Sequence, residues 1–209
     1  MKVMTNYSTT RKIASYEVNL FGQIRLSAIL RICQEAAETH LMSYNMDHLT
    51  LMEKENLAFL ILRVGMQISR MPKDGETITI RTRPEGNAGV QFYRSYEIRC
   101  GGDKWMDILY ANVLVDSRTH KLISPSRLDF METDVQKMRS PKRKLCKLKM
   151  PQKLEQWGIR QIRFSDLDFN GHLSNSIYGD IIEDFLPHNY TNNHFKIEKK
   201  HYQASKFTI

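Results

Sequence analysis

Cysteine is scarce in this chain: Cys33, Cys100 and Cys146 are its whole complement. An odd number of thiols without metal-ligand spacing argues against a disulfide framework. No apolar run approaches the roughly 20 residues that a membrane-spanning helix needs. The opening stretch, MKVMTNYSTTRKIASYEV, lacks the apolar core of a signal peptide. With 10 glycines, 6 prolines and 41% hydrophobic residues, the composition is neither fibrous nor disordered. These absences leave a soluble protein, expected in the cytoplasm, with one large domain or two of about 100 residues.

Acidic residues are outnumbered, 23 to 31, and the formal net charge is +8. Much of the excess lies between Lys137 and Arg163, where Glu155 is the single acid. Such a run can be a solvated linker, a docking face for an acidic partner or a nucleic-acid surface. No zinc knuckle, recognition helix or aromatic-basic motif accompanies it, so no nucleic-acid partner is expected. Charge alone does not choose between the first two.

Periodicity predicts an α+β fold. Arg11 to Val18 alternates as a strand, and Asn19 to Gly22 forms a turn. Leu26, Ile29, Leu30, Cys33, Ala36, Ala37 and Leu41 then recur at helical steps. Strands are predicted at Phe59 to Arg70, Glu76 to Arg83, Gln91 to Cys100 and Trp105 to Val115, with a short one at Lys121 to Ile123. One helix followed by antiparallel strands implies a helix packed on one sheet face.

The opening then repeats. Offset by 148 positions, Leu20-Phe21-Gly22-Gln23-Ile24 lies against Asp168-Phe169-Asn170-Gly171-His172. A second helix follows, with the stripe Leu173, Ile177, Ile181, Ile182 and Phe185, and then a strand from Phe195 to Gln203. Residues 1–129 are read as a complete first unit, 130–156 as a basic linker and 157–209 as a second unit. About 50 residues of strand are missing from the second unit relative to the first, and a truncated sequence is expected.

The chemistry concentrates in Asp166 to Asn175. Asp, Asn and Gly are turn formers, and an Asn or Asp at a helix start is also a cap. His172 has no capping role, and a cation at a helix N-terminus is unfavourable. On the 148-residue offset the first copy forms its turn with Leu20, Gly22 and Ile24, so folding does not demand the polar set. Cys33 falls on the apolar stripe and reads as a core thiol. His40 and His48 lack metal-ligand partners in sequence, while His188, His194 and His201 read as surface residues.

Asp168-x-Asn170-x-His172, with Asn175 and Tyr178 on the following helix, resembles the active-site segment of acyl-acyl carrier protein thioesterases. Arg25-Leu26-Ser27-Ala28 and the run Met66 to Arg83 resemble the family's first unit. The resemblance implies a tandem hotdog fold, each unit a long helix wrapped by a curved antiparallel sheet, with the second unit incomplete at its C-terminus. It implies hydrolysis of fatty acyl-acyl carrier protein to a free fatty acid, ending or diverting fatty acid biosynthesis, with no metal or redox cofactor. Asp168 would activate water or attack the thioester. Asn170 would orient the carbonyl, His172 would assist proton transfer, and backbone N–H groups near His172 and Leu173 would stabilise the oxyanion. Asn175 and Tyr178 would contact substrate. The family's usual Glu, three residues after an aromatic, is replaced: aligning that aromatic to Tyr202 puts Ser205 and Lys206 there, and Glu198 is reached only by a slip of several residues. An acyl-CoA thioesterase and a non-catalytic acyl-binding protein are the alternatives. The implied partner is acyl carrier protein, which is acidic, and a homodimer is compatible with this reading.

Overall fold

The computed structural model describes residues 6–128, 141–146, 156, 158–185 and the backbone of 195–200. Six strands form one antiparallel sheet: β1 (Tyr7–Lys12), β2 (Leu57–Ile68), β3 (Thr77–Ala88), β4 (Gln91–Cys100), β5 (Asp103–Asp116) and β6 (Phe195–Lys200), in the order β1-β3-β4-β5-β2-β6. Helix α1 (Leu26–Met42) packs on one face. A single helical turn, α2 (His48–Thr50), runs into a wider turn at Leu51–Glu55, and α3 (Ile177–Phe185) belongs to the second copy.

The predicted stripe is what α1 buries: Leu26, Ile29, Cys33 and Ala36 meet Ile78, Ile80, Ile98 and Ile108 from the sheet. Each fully buried Leu or Ile contributes roughly 1.5–3 kcal/mol. Cys33 is a core thiol as expected, and burial pushes its pKa up.

Several boundaries moved for identifiable reasons. The first strand is Tyr7–Lys12, not Arg11 to Val18. After it, Glu17 bends the chain into a 3₁₀ turn, Ser15–Glu17, by accepting the Ala14 N–H and pairing with Arg11. The third strand runs past Pro84 because the ladder steps over a bulge between Pro84 and Gly86, where the missing proline N–H costs no ladder bond. Lys121 to Ile123 contributes only an isolated bridge, Leu122 to Val115. The second helix starts at Ile177, and Leu173 instead pairs with Leu167. Of the strand expected at Phe195 to Gln203, residues 201–203 lie outside the described set.

The duplication is present, but one residue out of the expected alignment. Asn19 stands opposite Asp168, Gly22 opposite Gly171 and Ile24 opposite Leu173. In each copy the first residue's N–H donates to the carbonyl four residues on, Asn19 to Gln23 and Asp168 to His172, both at 2.7 Å. The glycines carry φ of +69° and +73°. Arg11 binds Glu17 at 2.7 Å and Glu35 at 3.9 Å; in the second copy Arg160 binds Asp166 at 3.2 Å and Asp184 at 3.0 Å. A guanidinium from the segment ahead of the turn thus ties a 3₁₀ turn to a helix twice over.

The copies are also joined. α1 has no side-chain cap of its own, and the Glu183 carboxylate on α3 accepts the Leu26 N–H at 2.7 Å. Arg31 donates to Ser176 at 3.2 Å. Gly179 lets the helices meet: a Cβ there would stand 2.7 Å from the Leu26 carbonyl carbon and 2.8 Å from Ser27 Cα. β6 extends the sheet at β2, with Val64 opposite Lys199 and Gly65 opposite Glu198.

Part of the expected linker covers the outer sheet face. Arg63 donates to the Leu145 carbonyl at 2.7 Å, and Leu145 packs with Tyr93, Leu109 and Ala111. Its Cδ2 would lie 2.6 Å from a Cβ at position 65, so the Leu145 side chain packs directly over Gly65.

Two outcomes are expected. Gly179→Ala should push α3 off the start of α1, costing about 1–3 kcal/mol in urea unfolding. Burial and the neighbouring Arg94 lower the His40 pKa from 6.5 to about 4. The unfolded state therefore binds more protons between those values, and stability should fall as pH drops from 6.5 toward 4. Thermal melts across that window should show the slope in the wild type and a flatter one in His40→Phe.

Candidate active site

The Asp168-to-His172 turn closes on a single oxygen. Asp168 Oδ1 accepts the N–H of Asn170 at 2.9 Å and of His172 at 3.0 Å. Gly171 supplies the left-handed residue that brings the chain back. The same role falls in the first copy to Asn19, whose Oδ1 accepts from Phe21 at 3.0 Å and Gln23 at 3.2 Å. The expectation that the turn folds without such a group is therefore corrected: both copies use an Asx oxygen. What differs is the carboxylate in place of an amide at Asp168, Asn170 in place of Phe21 and His172 in place of Gln23.

That difference leaves one oxygen over. Asp168 is half-buried, and its Oδ2 accepts no hydrogen bond among the described residues. Asn170 and His172 are exposed beside it. Asn175 is half-buried on the segment leading into α3. Tyr178 lies in the first turn of α3, also half-buried, and burial pushes its phenol pKa up. Asp166 is structural: only 6% exposed, it accepts the Arg163 N–H at 2.9 Å and pairs with Arg160.

The expected oxyanion donors need correction. The His172 N–H is taken by Asp168 Oδ1, and the helix begins four residues beyond Leu173. Tyr202, Ser205 and Lys206, where the additional acid was sought, lie outside the described residues, as do His188, His194 and His201. Glu198 lies on β6 opposite Gly65.

Two imidazoles that sequence reasoning passed over flank the turn. The His48 ring, from α2, stands edge-on to Phe169 at 5.0 Å between centroids. His120 stands 6.2 Å from His172. It has a φ of +58° at the end of a loop whose Asp116 carboxylate accepts the Arg118 and Thr119 N–H groups. No periodicity marks His120; only Asp116-Ser117-Arg118-Thr119 hints at a side-chain-capped loop.

A long helix on an antiparallel sheet, a matching turn ahead of a second helix, and a strand of the second copy on the same sheet define a tandem hotdog architecture. The acyl-ACP thioesterase N-terminal domain matches residues 4–127, and the acyl-ACP thioesterase C-terminal domain matches 152–203, ACP denoting acyl carrier protein. The chain belongs to the acyl-ACP thioesterase family. Among solved structures, one described as an oleoyl thioesterase from Lactobacillus plantarum is similar with a TM-score of 0.78 at 22% identity, over 98% of this chain and 81% of that one. An acyl-ACP thioesterase from Bacteroides thetaiotaomicron gives 0.78 at 17% identity, over 97% and 83%. A 12:0-ACP thioesterase from Umbellularia californica gives 0.73 at 21% identity, over 94% and 82%. At these identities the structures share a fold with the chain. No curated protein matches it in sequence.

Because Asn19 closes the equivalent turn, Asp168→Asn should keep the fold and melt within a degree or two of wild type. Asp168→Ala leaves two backbone N–H groups without their acceptor and should cost about 1–2 kcal/mol in chemical unfolding.

Proposed function

We propose that the chain hydrolyses the thioester of a fatty acyl group carried on acyl carrier protein, releasing the free acid. The observation that carries this reading is the carboxylate at a turn position where the first copy has only an amide. A turn oxygen alone explains Asn19; it does not explain a charged residue at Asp168 with one oxygen unbonded.

In this reading Asp168 Oδ2 removes a proton from water as the water oxygen attacks the thioester carbonyl carbon. The carbonyl electrons move onto oxygen; when they return, the C–S bond breaks and the thiolate takes up the proton, with His172 placed to pass it. The same Oδ2 serves if the carboxylate attacks directly: the C–S bond breaks to release thiolate and leave an anhydride, and water then opens it to the free acid and the Asp168 carboxylate, its proton going to the thiolate. Asn170 orients the carbonyl, and Asn175 and Tyr178 contact substrate. Residues 1–129 form the acyl-binding half, 130–156 a connecting segment and 157–209 the half that bears the acid. An acidic carrier suits the exposed Lys142 and Lys144.

The test compares one acyl chain on acyl carrier protein and on CoA, with Asp168→Asn alongside. The wild type should favour the carrier-bound substrate, with KM rising several-fold between about 50 and 500 mM salt as exposed charges are screened. Asp168→Asn should lose at least about a hundredfold in kcat while melting normally. Equal kcat/KM on both carriers would assign the chain to CoA substrates. A fully active Asp168→Asn would remove the acid from the mechanism.

A further inference from the structure

Arg94 is a buried cation without an anion. It stands on β4, only 8% exposed, on the face that meets α1. Its hydrogen bonds run from Nη1, to His40 Nδ1 at 3.0 Å and to Thr82 Oγ1 at 3.3 Å. Both acceptors are uncharged. Among the described residues no carboxylate lies within 4 Å of it, and Nε and Nη2 find no acceptor. Every other buried or half-buried arginine discussed above has an acid or a carbonyl.

His40 adds a second donor. A guanidinium only donates, so His40 Nδ1 must accept and its proton sits on Nε2. That Nε2 is buried without a partner, on a residue 3% exposed. Tyr7 stacks on the ring at 5.7 Å and Tyr44 meets it edge-on at 5.4 Å, which fixes its orientation. The His40 Nε2–H is thus left without an acceptor in the interior of the first copy, beside the Arg94 guanidinium. Leaving such a group unsatisfied is costly.

The surroundings indicate what would satisfy them. Along the same face of β4, Phe92 belongs to an apolar cluster with Met46, Leu51, Leu57 and Leu114, while Tyr96 and Ile98 belong to the main core. Arg94 lies on the strand between these two apolar masses. A ligand here needs an oxygen acceptor attached to a hydrocarbon. A hydroxyl or thioester carbonyl would leave the positive charge uncompensated, whereas a carboxylate neutralises it and accepts from two donors.

We propose that Arg94 and His40 form a seat for the carboxylate of a free fatty acid inside the first copy, distinct from the Asp168 turn. The proposal rests on the reading of this half as acyl-binding. Since the thioester substrate has no free carboxylate at its reacting end, the seat recognises the released acid and makes the enzyme sensitive to its own product.

Direct binding tests this without turnover, so an inactive wild type, which would defeat the proposed hydrolysis, leaves the measurement intact. Decanoate, decan-1-ol and methyl decanoate are titrated against the full chain by displacement of a fluorescent fatty probe. Wild type should bind decanoate about tenfold or more tightly than the two neutral ligands. Arg94→Met should erase that preference while leaving decan-1-ol within about twofold, and Arg94→Lys should keep part of it. His40→Phe, which keeps a ring between Tyr7 and Tyr44 but removes Nε2–H, should weaken decanoate several-fold and serves if Arg94→Met does not fold. Equal binding of acid and alcohol by wild type overturns the proposal, as does an unchanged preference in folded Arg94→Met or His40→Phe. A lower KM for a decanedioyl thioester than for the decanoyl one, with no preference for free decanoate, would assign the seat to a carboxylate at the far end of the chain and overturn it as stated.

Discussion

The structure turns on one local requirement: a tight turn between a 3₁₀ segment and a helix leaves two backbone N–H groups that need an oxygen. An Asx side chain at the head of the turn supplies it, as Asn19 in the first copy and Asp168 in the second. The choice between amide and carboxylate leaves the turn's hydrogen bonds unchanged and alters what the side chain presents beyond them. An amide in this position presents an NH₂ beyond the bonded oxygen; a carboxylate presents a second oxygen with a charge. A candidate active site can therefore arise from a structural device without new backbone, provided the neighbours at Asn170 and His172 change with it.

The device must also be placed, and the first copy does the placing. Glu183 caps α1, Gly179 admits the backbone of Leu26 and Ser27, and β6 continues the sheet at β2. α3 is short, nine residues, and buries few side chains of its own. An isolated helix of that length is marginal in water, so its stability comes from packing on the first copy. The turn that precedes it inherits that position, which brings Phe169 to His48 and His172 to His120. The acid belongs to one copy, and much of its surroundings to the other.

Elements whose periodicity matched their burial were legible: the α1 stripe, Ile78 and Ile80 on one face, and the Gln91–Cys100 strand came out of pattern alone. Legibility failed where a side chain overrides the backbone pattern. Glu17 bends a stretch that alternates like a strand, and a bulge carries β3 past a proline that reads as a stop. The repeat alignment slipped by one residue because it matched Phe21 to Phe169, which set Leu20 rather than Asn19 against Asp168. Only the hydrogen bonds distinguish them. For the site, residue types pointed to Asp168, Asn170 and His172. His120, Arg94 and their contacts depend on pairings across the fold that no local spacing encodes.

Net charge was the least transferable reading, and the reason is specific. Formal counting treats each arginine as surface field, yet here arginines are largely structural. Arg11 and Arg160 hold the two carboxylate triads, Arg63 reaches the Leu145 carbonyl, Arg143 pairs with Asp107 at 2.7 Å, and Arg94 is inside. The planar fork suits such fixed contacts, whereas lysine keeps its hydrated charge at the surface. The potential that an approaching macromolecule meets is therefore set more by lysines such as Lys142 and Lys144 than by the total of +8. Within the basic run Arg143 and Arg160 already have acidic partners, while Lys142, Lys144 and Arg163 stand exposed.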